Sequence, residues 1–540
     1  MSSLRNAWRR APRSSLDQAH AIGPRPSPGA SPLPSPFPWF LILAAVLALG
    51  VARAQSPADA FSALQSDLGA FLSPSNAPGA TWAAMVASAS TGAVWFERDP
   101  ARLMVPASNT KLFTVAMALD RFGTNGTFAT EWRWPGTPDA SGTLDGNAWL
   151  VAGGDPAPGG GASTVAALAS LADALAHGGV RRIRGRILLV DAFFDAPPFG
   201  PGWNWDDIPE AYGAPVAGFQ WADNAVTLVV EPGNMAGDHA TVRTFPIPEA
   251  FDIESSVRTV QKDAPANLTI RRSPDPSSFR FAVSGTVQAG KPHMERMAVP
   301  DAGEWLARGL SDLLRQRGVE HAGIVRASGP SALPKSIPPR ARVPSPPMAE
   351  IAALCLKPSN NRIAYALWLH VGADLRRNPR PSDPMPAPGT TEDDNDRAAR
   401  AMDAFMGQVG VPRGDVVLEE GSGLSRKNLV TPRATIQLLR HMDSNPASSA
   451  WLSALPVGGI DGTLRSRFTG PGAKGRVLAK TGTLRHVHSL AGHVTTASGQ
   501  RLVFALFVNG HAAPNATGRA TAEIDQFISR LAAFAGRGPE

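Results

Sequence analysis

Three short groups of residues, in one order, carry the chemistry this chain could perform: Ser108-Asn109-Thr110-Lys111, Ser359-Asn360-Asn361 and Lys480-Thr481-Gly482-Thr483. A serine hydroxyl is a poor nucleophile until a neighbour accepts its proton. At i, i+3 on a helix, Ser108 and Lys111 share one face, which makes the Lys111 amine the candidate base. It can act only if burial and a second cation lower its pKa, and Lys480 is the expected cation. Ser359 is expected to relay a proton between Lys111 and a leaving amine. Asn361 is expected to donate to the surroundings of Lys111 and to a substrate amide. A helix N-terminus beside Ser108 favours developing negative charge. The N–H groups of Ser108 and Thr483 form the expected oxyanion hole, worth roughly 3–4 kcal/mol per donor. A strand over 480–483 would take an extended peptide as an added strand. Gly482 would leave room for its approach, and Lys480, Thr481 and Thr483 would hold a terminal carboxylate. Singly, each group is an ordinary helix start, cap or hairpin end; the weight lies in their joint order.

These groups need a helix start, a loop and a strand to position them. Phe61, Leu64, Leu68 and Phe71 recur at helical spacing, and runs at 81–86 and 93–96 flank a Ser90-Thr91-Gly92 turn. A helix is expected from Ser108 through Leu112, Val115, Met117 and Leu119 to Gly123. From 124 to 340 short β-type runs (148–152, 187–190, 225–230, 268–272, 280–283) are broken by helical stretches at 165–176 and 305–317. The last third returns to mixed structure: helical runs at 351–356 and 363–370, a Pro- and Asp-rich surface loop at 376–396 that would cover or flank the cleft, and a helix at 398–409. Strands at 477–479, 488–495 and 502–508 follow, then a closing helix marked by Ile524, Phe527, Ile528 and Leu531.

Composition narrows the classes. With 540 residues, 43% of them apolar, the chain suits two or three domains with real cores. A lone cysteine, Cys355, excludes a disulfide scaffold and reads as a small buried filler. Of the net charge of +7, five charges lie in residues 1–54, which hold six arginines and one aspartate. The remainder is near neutral, which argues against a nucleic-acid partner. The apolar run 39–51 ends at Ala52-Arg53-Ala54 and falls short of the ~20 residues a spanning helix needs. Residues 1–54 are therefore read as a signal peptide with Gln55 as the mature start, a retained anchor being the alternative.

Other signals fail. Gly285 to Lys291 has phosphate-loop spacing, but Pro292 takes the hydroxyl position. His486, His488 and His493 lack an acid or thiol to complete a zinc shell and read as polar strand-face residues.

The motif set resembles that of penicillin-binding proteins and β-lactamases. In particular, the sequence resembles the class C low-molecular-mass penicillin-binding proteins, peptidase family S13, from about Phe61 to Phe534. The likeness includes 106–111, Gly153-Gly154-Asp155-Pro156, 201–207, Tyr212-Gly213-Ala214-Pro215, 421–426, 455–464 and 479–482. It implies an α+β fold, a β-lactamase/transpeptidase-like serine DD-peptidase domain with two inserted β-rich domains. The expected parts are 55–123 with 340–537, 124–200 with 290–339, and 201–289.

The resemblance further implies a D-alanyl-D-alanine carboxypeptidase and endopeptidase acting on peptidoglycan stem peptides through an acyl-serine, with β-lactams acylating Ser108. Ser108, Lys111, Ser359 and Asn361 would be catalytic. Lys480, Thr481, Gly482 and Thr483 would bind substrate, with Arg426 and Arg485 on its anionic stem. Asp191 and Phe194 would lean over the same cleft, whereas 153–156 is read as a structural turn. No metal or organic cofactor is implied, and the place of work is the periplasm. Peripheral membrane association and a homodimer are compatible with the sequence. Glu420 stands where the family often has Asp. Two rival readings are a β-lactamase or esterase on the same fold, which the 251-residue spacing from Ser108 to Ser359 opposes, and a non-catalytic wall-binding protein, which the intact serine and lysines oppose.

Overall fold

The computed structural model describes residues 57–72, 79–158, 164–248, 250–275, 277–327, 336–512 and 516–540; the expected leader lies outside them. Five strands make the central layer: β1 (Thr81–Ser88), β2 (Val94–Arg98), β3 (Val477–Leu484), β4 (Val487–Thr495) and β5 (Arg501–Asn509). Their spatial order is β2-β1-β5-β4-β3, with every pairing antiparallel. Alternation explains why this sheet is covered on both sides. In β5, Leu502, Phe504, Leu506 and Val508 enter one apolar cluster while Val503, Ala505 and Phe507 enter the other. A sheet apolar on both faces must bury both.

Helix α1 (Pro57–Phe71) contributes Leu64 and Leu68 to the first cluster. The second face receives α2 (Thr110–Phe122), α3 (Met348–Leu356), α4 (Asn361–Arg377), α5 (Asp394–Val409), α6 (Pro432–Ser444) and α7 (Ser448–Ala454). The closing α8 (Ala516–Ala533) returns to the first face through Ile524, Phe527, Ile528 and Leu531. Every residue of α2 from Thr110 to Leu119 is buried, so the helix that starts at the proposed nucleophile runs through the core. No helix among the described residues is long and apolar enough to cross a membrane.

The chain between α2 and α3 forms the inserted β-rich region. One sheet there joins Ala129–Arg133, Ala148–Val151, Ile187–Val190, Ile324–Arg326 and Pro339–Pro344. A second joins Ala225–Glu231, Thr241–Phe245 and His293–Ala298, and a third joins Asp252–Ser255, Arg258–Val260, Leu268–Arg272 and Arg280–Gln288. A continuous apolar cluster links these sheets, with Trp132, Trp221, Phe281 and Trp305 among its buried members.

Strand His293–Ala298 pairs along its length with Ala225–Glu231, which carries that sheet to 298, within ten residues of the expected edge at 289. One expectation needs correction. The loop expected at 376–396 is shorter, because α4 continues through Arg377 and Asp393 caps α5 reciprocally with Asp396. That loop does not flank the cleft. Arg121, in the last turn of α2, pins it by an ion pair to Asp383 and also pairs with Asp374 of α4 (2.6 Å). This lies about 20 Å of helix from Ser108.

Candidate active site

Ser108 sits in the short turn Ala107–Asn109 that leads directly into α2. Ala107, fully buried, has φ of +48°, a left-handed conformation costing roughly 1–2 kcal/mol outside glycine. Neighbouring contacts hold it. Asn109 Nδ2 donates to Ser489 Oγ (2.7 Å), and that hydroxyl donates to the Pro106 carbonyl (2.7 Å). A Cβ on Gly482 would stand 2.2 Å from Ser489 Oγ, 2.6 Å from the Pro106 carbonyl and 3.1 Å from the Ser108 amide nitrogen. One on Gly423 would stand 2.0 Å from the Ala107 carbonyl. Two bare positions thus let β3 and the 420–428 loop press against the nucleophile turn. The sequence reading assigned the space at Gly482 to substrate; the structure fills it with this turn.

Lys111, at 0% exposure, donates to Ser108 Oγ (2.8 Å), Asn361 Oδ1 (2.6 Å) and the Ser422 carbonyl (2.5 Å). Lys480, equally buried, donates to Ser359 Oγ (2.8 Å) and the Thr481 carbonyl (2.7 Å). The second amine therefore contacts Ser359 rather than Ser108, and Ser359 is paired with Lys480 rather than with Lys111. Burial lowers the Lys111 pKa to about 8, against the opposing pull of Cys355 and Glu420. Lys480 is pushed well below its ordinary range by burial and then by the charge on Lys111. Both amines are therefore lowered, and Lys111 has the larger set of acceptors.

Glu420, which stands where the family often has Asp, organises this side. Its buried carboxylate accepts from Ser422 N (2.7 Å), Ser422 Oγ (2.6 Å), Gly423 N (2.6 Å), Ser425 N (3.4 Å), Asn428 Nδ2 (3.0 Å) and Trp203 Nε1 (3.2 Å). Such multiple donation satisfies the oxygens of a buried carboxylate. It also fixes the Ser422 carbonyl on which Lys111 rests. The signal in the sequence was an acid kept at the head of 421–426.

On the opposite side Ser359 has φ of +65°, and Asn360 caps α4 through its side chain. Asn361 turns Oδ1 to Lys111 and donates from Nδ2 to the Tyr212 carbonyl of the insertion (2.9 Å). The Thr481 hydroxyl donates to Thr463 Oγ1 (2.9 Å), while Thr483 is exposed. Arg426 and Arg485 are exposed neighbours, the Arg426 guanidinium donating to the Arg485 carbonyl (2.8 Å).

Asp191 and Phe194 do not lean over the cleft. Asp191 accepts from Phe219 N (3.0 Å) and pairs with Arg326 (3.3 Å) inside the insertion, its carboxyl pushed up to about 6 by burial. Phe194 packs against His370 and Phe193. His488 and His493 are buried rather than displayed, and burial lowers them to about 4 and about 3. The described residues contain no cluster of three side chains arranged to hold a metal. Cys355 lies in the core beside both lysines, its thiol pushed up to about 11 by burial.

A hydroxyl touching an amine whose pKa burial lowers suits acyl transfer through serine, and the sheet with its insertions places the chain among β-lactamase/transpeptidase-like serine enzymes. The chain belongs to the D-Ala-D-Ala carboxypeptidase 3 (S13) family, whose sequence profile matches residues 64–531, and is a serine-type carboxypeptidase of the penicillin-binding class. It is 30% identical over 491 residues to the D-alanyl-D-alanine carboxypeptidase of Actinomadura sp. (strain R39), covering 88% of this chain and 86% of that protein. It is 27% identical over 417 residues to D-alanyl-D-alanine carboxypeptidase DacB of Haemophilus influenzae, covering 76% and 81% respectively. The crystal structure of penicillin binding protein 4 (dacB) from Haemophilus influenzae superposes with a TM-score of 0.71 at 25% identity, covering 86% of this chain and 98% of that one.

Proposed function

We propose that Ser108 attacks the carbonyl between two D-alanines of a peptidoglycan stem peptide in the periplasm, releasing D-alanine and leaving an acyl-serine. The observation that carries this reading is Lys111 Nζ at 2.8 Å from Ser108 Oγ within a wholly buried pair of amines. The substrate lies along the open edge of β3, its terminal carboxylate beside Lys480 and Thr483. That anion favours a proton on Lys480, and repulsion then drives the proton off Lys111. The free Lys111 amine takes the Ser108 proton as the Oγ–carbon bond forms. The N–H groups of Ser108 and Thr483 hold the oxyanion. Lys480 passes a proton through Ser359 to the leaving nitrogen, and the carbon–nitrogen bond breaks. The proton on Lys111 then passes to Lys480, left neutral by that transfer; Lys111, free again, deprotonates the water that adds to the ester and returns the proton to Ser108 Oγ as the shortened peptide leaves. Asn361 holds Lys111 and has one Nδ2 hydrogen left for the substrate amide.

The same steps on a D-alanyl–diaminopimelyl crosslink make the enzyme an endopeptidase. A β-lactam acylates the same oxygen and deacylates slowly. Arg426 and Arg485 present two cations to the anionic stem. The leader at 1–54 supports export to where this substrate lies.

Mass spectrometry of purified muropeptides after incubation tests the reading, scoring loss of one D-alanine and conversion of crosslinked dimers to monomers separately. A preparation that performs neither, and that takes no labelled penicillin on Ser108, would refute it.

A further inference from the structure

The inserted region touches the second motif through an unusual turn. Ala222, Asp223 and Asn224 follow one another with φ of +55°, +58° and +50°. Such a run of left-handed residues is unfavourable and persists only where surrounding contacts over-determine it. Those contacts are present: Asn224, fully buried, accepts from Trp221 N (2.9 Å) and donates to the Pro215 carbonyl (2.8 Å). The result is to aim one carboxylate out of the insertion. Asp223 accepts from Asn360 Nδ2 (3.0 Å), Arg362 Nη2 (2.9 Å) and Arg296 Nη2 (3.2 Å).

Two of these partners bracket the catalytic amide. Asn360 and Arg362 flank Asn361, and Asn360 follows Ser359, itself held at φ of +65°. Arg362 is 5% exposed and enclosed by the insertion, donating also to the Pro156 carbonyl (2.8 Å) and to Gln220. Asn360 is gripped from both ends: its Oδ1 caps Ile363 N (3.0 Å) and its backbone N–H meets the Cys355 carbonyl (2.9 Å). Although burial raises the Asp223 pKa, Arg362 and Arg296 outweigh it and hold the carboxyl well below the usual range, so the clamp is charged at working pH.

We infer that Asp223 is a positioning residue for the reaction: from the inserted domain it clamps Asn360 and Arg362, and so fixes the aim of Ser359 and Asn361 at the two buried amines. The inference rests on the proposed roles of Ser359 and Asn361. The insertion then completes the active site, and a misplacement of about 1 Å in such a group can cost 100-fold in rate.

The test uses the full chain and a fluorescent penicillin, with D-alanine release from a pentapeptide measured in parallel. Asp223→Asn is expected to slow acylation about 10–100-fold, lowering kcat while KM holds. Asp223→Glu should recover part of the rate. Asp252→Asn, which breaks the exposed pair with Arg280 (2.6 Å) in the same insertion, should leave both rates unchanged. If Asp223→Asn does not fold, Asn360→Ser keeps a helix cap while losing the arm to Asp223, and carries the same expectation. A folded variant that acylates at the wild-type rate overturns the clamp. Wild-type protein that takes no label overturns the underlying reading instead.

Discussion

The two sides of the cleft each bury a lysine, and their surroundings differ. On the α2 side Lys111 has a hydroxyl, an amide oxygen and a carbonyl as acceptors, with the charged Glu420 close enough to raise its pKa. On the β3 side Lys480 has, among the described residues, the Ser359 hydroxyl and the Thr481 carbonyl. Equal burial thus comes with unequal hydrogen bonding, and burial together with the charge on Lys111 pushes the Lys480 pKa well below its ordinary range. The difference teaches why the proposed mechanism has the substrate bring its own negative charge to the poorer side.

Several experiments would break or sharpen this contrast. Ser108→Ala should abolish the covalent penicillin adduct altogether, read by intact-protein mass spectrometry; a remaining adduct would move the nucleophile elsewhere. Lys111→Met should lower acylation by about 10²–10⁴, the span of general-base contributions, in stopped-flow labelling. Gly482→Ala should cost about 1–3 kcal/mol in thermal unfolding, as overpacking does, and should slow acylation as β3 is levered off the nucleophile turn. The wild-type acylation rate should rise with pH and level off above about 8, because Lys111 is protonated below that pKa and free above it. Glu420→Gln removes a charge that raises this pKa, so the rise should move to lower pH. Arg426→Ala should have the smallest effect, a modest increase in KM for anionic muropeptides with kcat unchanged.

The motifs themselves were legible because each is local. A serine and lysine one turn apart need only a helix, and the strand character of 477–508 follows from alternation. What escaped depends on contacts between distant segments. Nothing near Lys480 in the chain indicates that its amine stops at Ser359, and nothing near Gly482 reveals Ser489 and Pro106 behind it. Glu420 looked like a conservative exchange until its donors were gathered by folding. Asp191, apparently a cleft residue, is claimed by Arg326 inside the insertion. The domain edge near 290 could be placed only to within about ten residues, because a strand's partner, here Ala225–Glu231, is a non-local choice.

Cys355 has a consequence of its own. The only sulfhydryl in the chain is sealed in the core beside both amines and kept protonated, so electrophiles meet it only when that core opens. It is a native gauge of breathing at the catalytic centre. Its modification by a thiol reagent should become slower still once a β-lactam occupies the cleft, and a rate indifferent to the drug would mean that the drug leaves the core's opening unaltered.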